Sequence, residues 1–585
     1  MIVKMKKAFI FVQAKDAPEA IEGLRKLGIV HVEHIQPPAG KDITLLQEDL
    51  ALVSDALRVL VKEDLCPPET KIKEKPVFDR RHCSSHIIDL DKRIDRLQEY
   101  AADLTHEIAQ WEAWGDFDPL EIQQLAEKNI FIRFYQIPEK ELKTLPENIS
   151  VKKIFSRGNI AHCLIISRGR QELAFKEIAL PKLGPLQMRK RLEEDKRTLE
   201  SLKKELCAAL AFKRPLAQEK ETLEKELEFR QALSGMGGAG ALAYLSGYLP
   251  GDNAAKLLER AKKEKWGVFI TEPASEDNVP VLLRNSKLVA LINPIFKLME
   301  VVPGYRELDV SPLFLLFLSL FFGMIIGDAG YGAVFFLITF FAQRKSGVKV
   351  KDKSVFFLFY LFSACAILWG LLTGTVFGQQ WYLAAGFKPF FPLLNEAKFL
   401  MSFCFFLGAL QLSLAHGWQA VIKLPSLSAL ADAGFICLLW AGFFLAKMFI
   451  IGEAFPFFGK WLIWAGVLLI IFFSYPQKNI FKAAASGLGV LALGAMGNFG
   501  DVVSYIRLFA VGLAGVAVAD SVNTLAAGSG NIIAQVIILF IGHAINIVLG
   551  PISVLVHGIR LNVLEFSLLH GNVTWSGLAY KPLKT

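Results

Sequence analysis

The sequence predicts a multidomain protein in which an α+β cytoplasmic domain precedes an all-α, polytopic membrane domain of about eight helices. Charged residues concentrate in residues 1–300, whereas residues 311–570 are largely apolar and contain several stretches of the roughly 20 residues that a spanning helix needs. Long charged segments in the first half also carry a narrow apolar stripe, which is typical of a coiled coil. The mean hydropathy of +0.38 therefore averages over two unlike parts.

Composition and local motifs exclude several classes of function. The net charge of +9 over 585 residues is modest and includes no concentrated basic run in the first half, so the sequence predicts no nucleic-acid binding. The chain contains no G-x-x-x-x-G-K-[ST], H-E-x-x-H or G-x-S-x-G motif, which predicts no direct ATP binding, no cofactor and no catalytic site in the soluble half. Seven cysteines without a C-x-x-C pair predict free thiols.

A small proximal lobe is predicted from residues 1–40 together with residues 236–300. KKAFIFVQA reads as a strand, DAPEAIEGLRKLG as a helix that ends at glycine, and IVHVEHIQ as a second strand. Residues 240–272 repeat the strand–helix–strand order. Because the N-terminus lacks a small-residue cleavage site, we expect the soluble half to stay in the cytoplasm.

An antiparallel coiled-coil rod is predicted from helices at about 42–63, 84–113 and 186–233, where apolar residues alternate at spacings of three and four. Pro215 is expected to kink the third helix. An ordinary helical bundle would also explain the pattern. Residues 128–180 contain NIFIRFYQI, ISVKKIFS and HCLIISR, which predict strands of a distal α/β lobe inserted at the tip of the rod.

The membrane domain, residues 301–585, is predicted to contain spans at 312–326, 328–342, 355–378, 398–422, 428–451, 460–474, 500–526 and 531–568. GDAGYG at 327–332 interrupts the first apolar stretch. Two spans there return the basic loop 343–354 to the cytoplasm, where such loops concentrate, so we prefer two spans to one. An even number of spans also leaves the C-terminus in the cytoplasm. Residues 483–499 either extend the seventh helix or lie along the interface.

The last predicted helix carries one small and polar stripe, formed at helical spacing by His543, Asn546, Gly550, Ser553, His557 and Arg560. A single histidine or asparagine is more often a contact between helices. A continuous stripe that includes an arginine instead indicates an aqueous path or an ion-handling surface. Arg560, near the end of the helix, is also explained by snorkelling to the headgroups.

Arg507 lies in GDVVSYIRLFAVGLAG, a run that otherwise reads as membrane helix. A cation in hydrocarbon costs roughly 3 to 17 kcal/mol, so such residues face a carboxylate, a water cavity or an ion path, or else snorkel. The small residues that follow it would let another helix approach closely. They are Ala510, Gly512, Ala514, Gly515, Ala517 and Ala519.

These segments together resemble subunit I, also called subunit a, of the V-type and A-type rotary ATPases and ATP synthases, the V-ATPase 116 kDa subunit family. The resemblance rests on PGYRELDVSP, FFGMIIGDAGYG, GDVVSYIRLFAVGLAG, GHAIN and VHGIRLNVLEF, which follow in the order of the family. DVS at 309–311 departs from the usual D-P-T. Gly515 and Gly550 stand where eukaryotic members tend to carry histidine and glutamate.

The resemblance implies a stator in a prokaryotic plasma membrane that adjoins a rotating ring of proteolipid subunits of the c or K type. Arg507 matches the essential arginine of the family and Arg560 its second arginine. Glu565 and His543 become candidates for the half-channels, followed by Asn546, Ser504 and His557. The resemblance also implies peripheral-stalk subunits, a central-stalk ring adaptor and the lipid bilayer as partners. The subunit is then not an enzyme by itself, because ATP chemistry occurs on other subunits, and the ion is H⁺ or Na⁺.

Two other classes of function remain open from the residues. A stand-alone secondary ion transporter would favour paired repeats around a midplane site, and we find none. A purely structural membrane scaffold leaves the arginine and the polar stripe without a purpose.

Overall fold

The computed structural model describes residues 2–62, 79–146, 149–169, 173–307, 309–347, 350, 352–379, 391–477 and 479–584. The chain forms two compact units. Unit 1 comprises Met1–Val12, Leu27–Glu33 and Tyr244–Leu583, and unit 2 comprises Gln13–Lys26, His34–Ala243 and Lys584–Thr585. The predicted domain boundary at residue 300 stays a prediction. Segments from the predicted proximal lobe belong to the same unit as the helical half.

Unit 2 contains α1 (Ala17–Leu27), α2 (Lys41–Lys62), α3 (Arg80–Trp111), α4 (Pro119–Glu127), α5 (Pro185–Ala209) and α6 (Lys213–Ser234). The apolar stripes of α2, α3, α5 and α6 form one buried core. His86 lies 3.0 Å from Glu205, and Glu112 lies 3.7 Å from Arg189, so α3 and α5 run antiparallel. The coiled-coil rod itself stays a prediction.

The segment 186–233, predicted as one helix, is two helices. α5 ends at Ala209, a 3-10 turn occupies Leu210–Phe212, and α6 begins at Lys213. The break therefore precedes Pro215, which stands in the first turn of α6. A helix tolerates proline there because the first backbone N–H groups have no partner within the helix.

The second part of unit 2 is a four-stranded antiparallel sheet in the order β4-β5-β3-β6. Chain-order numbering assigns β1 to Met5–Gln13, β2 to His31–Glu33, β3 to Ile130–Pro138, β4 to Ser150–Arg157, β5 to Ile160–Arg168, β6 to Lys176–Ile178, β7 to Gly237–Ala239, β8 to Leu242–Pro250 and β9 to Gly267–Thr271. Trp111 and Trp114 meet Phe134 edge to face on this sheet, which anchors the end of α3 to it.

Unit 1 combines the strands β2, β8, β1 and β9, in that order, with most of the helices. The C-terminal tail packs beside these strands. Val281 donates a backbone hydrogen bond to Leu578, Leu583 donates one to Val30, and the Tyr580 hydroxyl donates to the Ile29 carbonyl. Burial raises the pKa of the Tyr580 phenol to about 12, so it stays protonated as a donor. These contacts hold the tail that follows the last helix against the sheet of unit 1.

The helices of unit 1 are α7 (Ala254–Glu264), α8 (Asn293–Met299), α9 (Ser311–Ile326), α10 (Ala329–Ser346), α11 (Ser354–Thr373), α12 (Ala397–Lys423), α13 (Ala429–Ala446), α14 (Phe457–Phe473), α15 (Ile480–Ser504), α16 (Ile506–Gly528) and α17 (Ile532–Ser553). π-Helical turns continue α13 to Ile451, and further π-helical segments extend the last helix to His570.

Length and composition give fewer spans than the sequence predicts. Within the described residues, five helices are long and apolar enough to cross a membrane, or six if α9 and α10 form one broken span. The prediction of about eight spans is therefore not confirmed. α14 has 17 residues, which at a rise of 1.5 Å per residue reach only about 25 Å of a roughly 30 Å hydrocarbon core.

The GDAGYG segment forms a sharp bend. α9 and α10 meet at 119°, and Gly327 occupies the left-handed region at φ +65°, which favours glycine. Asp328 is fully buried, and its carboxylate accepts hydrogen bonds from the backbone N–H groups of Tyr331 at 3.0 Å and Gly378 at 2.8 Å. A buried carboxylate bound in this way fixes the start of α10 against the chain after α11.

The helical stretch that carries Arg507 begins at Ile480, not at residue 500 as the predicted span has it. α15 and α16 adjoin at Tyr505 and together form a helical stretch of 49 residues. The apolar residues 483–499 thus extend the seventh predicted helix, the first of the two alternatives. Arg507 consequently lies near the middle of this stretch, in the first turn of α16 after the junction at Tyr505.

The free-thiol prediction fails at one position. Cys83, Cys163, Cys365, Cys404 and Cys437 are free, but Cys207 is disulfide-bonded. Cys66 lies outside the described residues. Spacing in the sequence gave no sign of this bond, because no C-x-x-C motif marks it.

Asp352 ties α8 to the start of α11. It accepts hydrogen bonds from the Ser354 hydroxyl at 2.5 Å and backbone N–H at 3.2 Å, and Lys297 Nζ lies at 2.9 Å. The Ser354 hydroxyl and then Lys297 lower the pKa of Asp352 to about 2. We expect Asp352→Ala to lower the free energy of unfolding by about 1 kcal/mol near neutral pH.

The pH dependence has a defined sign. Because the folded pKa is depressed, the carboxylate stabilises the fold above its unfolded value and loses this effect as the pH falls through 2. Thermal unfolding of wild type and variant should therefore differ at pH 6 and converge at about pH 2. The exposed Asp116→Ala serves as the control, and a constant difference across this range would contradict the assignment.

Candidate functional site

The polar centre of unit 1 is an ion pair between α16 and the π-helical end of the last helix. Arg507 Nη2 lies 2.9 Å from Glu565 Oε1, and Arg507 Nε donates to the Ser504 carbonyl at 3.1 Å. The Glu565 side chain is 4% exposed and that of Arg507 is 24% exposed. The arginine is therefore held by a buried carboxylate, with part of its guanidinium still accessible.

A second arginine approaches the same carboxylate. Arg560 Nε lies 3.6 Å from Glu565 Oε1, and its side chain is 54% exposed. The other oxygen, Glu565 Oε2, is buried and has no hydrogen-bond partner among the described residues. Two cations thus share one carboxylate oxygen, which leaves a net positive charge at the site. That charge favours a further anionic group beside Arg507.

A buried hydrogen-bond ladder fixes the backbone on both sides of this pair. Tyr505 donates to Gln411 Oε1 at 2.9 Å, Gln411 Nε2 donates to Asn562 Oδ1 at 3.0 Å, and Asn562 Nδ2 donates to the Gly558 carbonyl at 3.0 Å. Tyr505, Gln411 and Asn562 are all fully buried. The ladder joins α12, the α15–α16 junction and the last helix, so it sets the spacing between Arg507 and Glu565.

A continuous chain of five side chains lies toward the end of the last helix. Asp501 Oδ2 is 2.9 Å from His570 Nε2, and His570 Nδ1 is 2.9 Å from His416 Nε2. His416 Nδ1 lies 3.3 Å from Asp432 Oδ1, and Lys423 Nζ donates to Asp432 Oδ2 at 2.7 Å. We call these residues the histidine chain. They join α12, α13, α15 and the final helix.

A second polar cluster lies on the other side of Arg507. His543 Nδ1 is 2.7 Å from the Tyr331 hydroxyl, and His543 Nε2 is 3.1 Å from Asn523 Oδ1. Asn546 Nδ2 donates to the Tyr331 hydroxyl at 3.0 Å and to the Gly515 carbonyl at 2.8 Å. We call this group the tyrosine cluster. It brings α10, α16 and α17 together.

The histidine chain and the tyrosine cluster lie on opposite sides of Arg507 along the axis of the α15–α16 stretch. At 1.5 Å per residue, Asn523 lies about 24 Å from Arg507 in one direction and Asp501 lies about 9 Å from it in the other. A cavity of about 140 Å³ occupies the interval toward the tyrosine cluster. Tyr331, Asn546 and Ser553 are the polar side chains in its lining, which is otherwise apolar or glycine. Polar groups thus lie on both sides of Arg507.

Two glycines of α16 differ in the space beside them. A Cβ at Gly512 would lie 2.6 Å from the Met324 carbonyl oxygen, whereas one at Gly515 would meet nothing closer than 3.9 Å. We expect Gly512→Ala to lower the free energy of unfolding by about 1–3 kcal/mol, because α9 must move. Gly515→Ala on the same helix is the matched control and should be neutral or mildly stabilising. Thermal unfolding in detergent measures both, and equal effects would contradict the close contact.

Comparison with known proteins decides the family. V-type ATP synthase subunit I of Borreliella burgdorferi is 31% identical over 616 residues, an alignment that covers 100% of this chain and 99% of that protein. The chain belongs to the V-type ATP synthase subunit I family. No family model matches the chain. As a subunit I, it is a membrane protein and a component of a multisubunit rotary ATPase.

Other subunit I proteins extend the likeness. V-type ATP synthase subunit I 1 of Treponema pallidum is 30% identical over 630 residues, with 100% of both chains covered. The A-type subunit I of Methanocaldococcus jannaschii is 28% identical over 435 residues, which are 65% of this chain and 62% of that protein. The crystal structure of a cytoplasmic N-terminal domain of subunit I covers 46% of this chain and 100% of its own, at 15% identity and a TM-score of 0.24. So low a score carries no weight for the fold.

The structure groups the predicted site residues of this subunit I into two places. Arg507, Arg560 and Glu565 meet directly, and Ser504 takes part through its backbone carbonyl, not its hydroxyl. The other three lie along the last helix. His543 and Asn546 belong to the tyrosine cluster, and half-buried His557 lies on the last helix between the two places.

Sequence reasoning missed the partners that other helices supply. Gln411 and His416 are single polar residues in apolar runs, a pattern that by itself favours a structural role over a functional one. Tyr331, Asp501 and His570 were not selected at all. Spacing along one helix could not link them, because their partners lie on different helices. The sequence does contain a signal that could have selected these five residues. Each is a titratable or hydrogen-bonding residue inside or beside an apolar segment.

Proposed function

We propose that this subunit I is the membrane stator of a rotary V/A-type ATPase or ATP synthase, and that Arg507 is its fixed cation. The observation that carries the proposal is the buried Arg507–Glu565 pair, with polar groups approaching it from both sides. Arginine suits the role because it remains charged in any environment.

The chemistry follows from the net positive charge. A carboxylate on a rotating proteolipid must be neutral in lipid, through a proton or a bound cation. Beside Arg507 and Arg560, with only Glu565 to balance them, its ionised form is favoured and it releases its ion. Glu565 holds the guanidinium in position when no ring carboxylate is present. The same cation prevents ions from passing directly between the two half-channels.

The two half-channels are assigned to the two polar groups. The tyrosine cluster and the adjoining 140 Å³ cavity form one, and the histidine chain forms the other. His570 of the histidine chain ends the last helix, and the C-terminal tail that follows it packs beside the strands of unit 1. We assign these strands, and with them the histidine chain, to the cytoplasmic side. The N-terminal domain and the C-terminus are then cytoplasmic, and the membrane is a prokaryotic plasma membrane.

The last helix offers a surface for the proteolipid ring. α17 has no buried side chain between Ile532 and Ser553, and apolar residues such as Phe540 and Val548 are 75% and 61% exposed. Leu493 and Met496 of α15 are each 83% exposed. Such extended apolar surface suits lipid on one face and a partner helix on the other.

The remaining partners are assigned to unit 2. Its antiparallel helices, as a coiled-coil rod, and its four-stranded sheet, as the distal lobe, are the proposed contacts for peripheral-stalk subunits and a central-stalk ring adaptor. The subunit is itself non-catalytic, and coupling to ATP hydrolysis or synthesis takes place through the complex.

The alternative is a stand-alone secondary ion transporter, and reconstitution separates the two. The purified chain is placed alone in liposomes, and ion uptake is measured under an imposed gradient. We expect no uptake from the chain alone and uptake from the complete complex on ATP addition. Flux from the chain alone, at a rate comparable with the complex, would support the transporter and contradict the proposal.

A further inference from the structure

We propose that the histidine chain is a proton relay, and that the ion handled on this side of Arg507 is therefore H⁺ and not Na⁺. The inference rests on the proposed function. It adds the identity of the ion and four residues whose role the family resemblance did not assign. The relay consists of Asp501, His570, His416 and Asp432, with Lys423 at its outer end.

The relay is buried in the middle and accessible at its ends. The side chains of His570, Asp432 and His416 are 3%, 5% and 10% exposed, whereas those of Asp501 and Lys423 are 18% and 41% exposed. Lys423 ends α12 beside the turn to α13. Asp501 lies less than two helical turns before Arg507. The chain therefore links a surface of unit 1 with the neighbourhood of the fixed cation.

Its contacts suit a proton and not a metal cation. The two imidazoles contact each other directly, ring nitrogen to ring nitrogen at 2.9 Å, so one must donate a hydrogen bond and the other accept it. Passage of a sodium ion would require oxygen ligands in place of its hydration shell. At the centre of the relay there are only nitrogen atoms already in contact. Chains of Asp, Glu and His are the usual means of moving protons inside membrane proteins.

A proton can move along the relay from its surface end, at Asp432, to Asp501 near Arg507. Asp432 passes a proton to His416 Nδ1, and His416 releases its Nε2 proton to His570 Nδ1. His570 then releases its Nε2 proton to Asp501, which becomes protonated. Each imidazole gains one proton and loses one, and it ends as the other tautomer. Asp501 then gives this proton to a carboxylate of the proteolipid ring, and each imidazole returns to its first orientation, which completes the cycle. Synthesis reverses each transfer.

Neighbouring groups fix the positions of the relay side chains. Phe435 stacks on His416 at 5.1 Å with an interplanar angle of 14°, and Gln419 Nε2 donates to the Gly571 carbonyl at 2.5 Å next to His570. Lys423 Nζ, at the outer end of the relay, lies 2.7 Å from Asp432 Oδ2 and fixes that carboxylate beside His416.

The test uses the complete complex in liposomes, with ATP-driven acidification followed by a pH-sensitive dye. His416→Gln and His570→Gln retain hydrogen-bonding capacity but cannot accept a proton at one atom and release one from another. We expect each to lower the rate of H⁺ uptake by at least about tenfold, as for loss of a positioned acid–base group. His106→Gln, an exposed histidine of α3, is the matched control and should leave uptake unchanged.

Asp501→Asn is the second variant if a buried substitution prevents assembly. Its side chain is partly exposed, and the amide can still bind His570 but cannot carry the proton, so the same loss is expected. Wild-type uptake by an assembled relay variant would overturn the relay. ATP-driven uptake of ²²Na⁺ by the wild type that persists with a protonophore would overturn the assignment of H⁺.

The outcomes separate the relay from the function on which it rests. If Arg507→Ala abolishes uptake while the relay variants pump normally, the relay is wrong and the stator function stands. If Arg507→Ala pumps normally, the stator function is wrong whatever the relay variants do.

Discussion

Arg507→Ala is expected to abolish ATP-driven ion uptake by the assembled complex while ATP hydrolysis continues. Without the guanidinium, a ring carboxylate that arrives from lipid meets no fixed cation and keeps its ion, so rotation no longer transports it. The barrier between the two half-channels is lost as well, which adds a leak. Uptake by complexes in liposomes and hydrolysis by the same preparation provide the two measurements.

Two further variants make this result specific. Arg507→Lys retains a positive charge, but an ammonium cannot reproduce the planar arrangement that reaches both Glu565 and the Ser504 carbonyl. We expect it to retain hydrolysis with strongly reduced uptake. Arg344→Ala removes an exposed arginine from the last turn of α10 and should pump normally. Normal uptake by assembled Arg507→Ala would refute the proposed function.

Glu565→Leu is expected to destabilise unit 1 by about 3 kcal/mol, the scale found when one partner of a buried ion pair is removed. Glu565 is 4% exposed and faces both Arg507 and Arg560, so its loss leaves two like charges with no carboxylate between them. Thermal unfolding of the purified subunit in detergent, followed by tryptophan fluorescence, measures the change. Glu453→Leu, which removes an exposed glutamate that pairs with Lys447, is the control.

The double variant Arg507→Leu with Glu565→Leu separates stability from function. Removing both charges eliminates the unpaired cation, so most of the lost stability should return. Ion uptake should not return, because the fixed cation is missing. Recovery of uptake together with stability would show that the pair is only a structural contact and would contradict the proposal.

Several features of the molecule were predictable from local sequence. The bend between α9 and α10 follows from Gly327 and Asp328, one supplying a left-handed residue and the other a cap. The last helix follows from a polar stripe at helical spacing. Arg507 could be selected because a cation in an apolar run is rare and costly. In each case the signal lies within one turn or one helix.

Other features depended on contacts between helices. The predicted number of spans is not confirmed, because α14 is too short to be counted by length and because α9 and α10 meet at a bend. The start of the Arg507 helix was placed at residue 500, since the Gly-rich run from 483 weakens a local helix prediction. Packing of Ala483 and Gly487 in the protein interior overrides that weakness.

The class of protein follows from local sequence, which shows a charged first half, an apolar second half and an arginine that needs a partner. The identity of that partner, and the polar residues that join into chains, follow from the contacts between helices. Glu565 is 58 positions away, and His416 and His570 are 154 positions apart. The physical reason is that periodicity reports which residues share a face of one helix, whereas an ion pair or a proton relay depends on which faces of different helices meet.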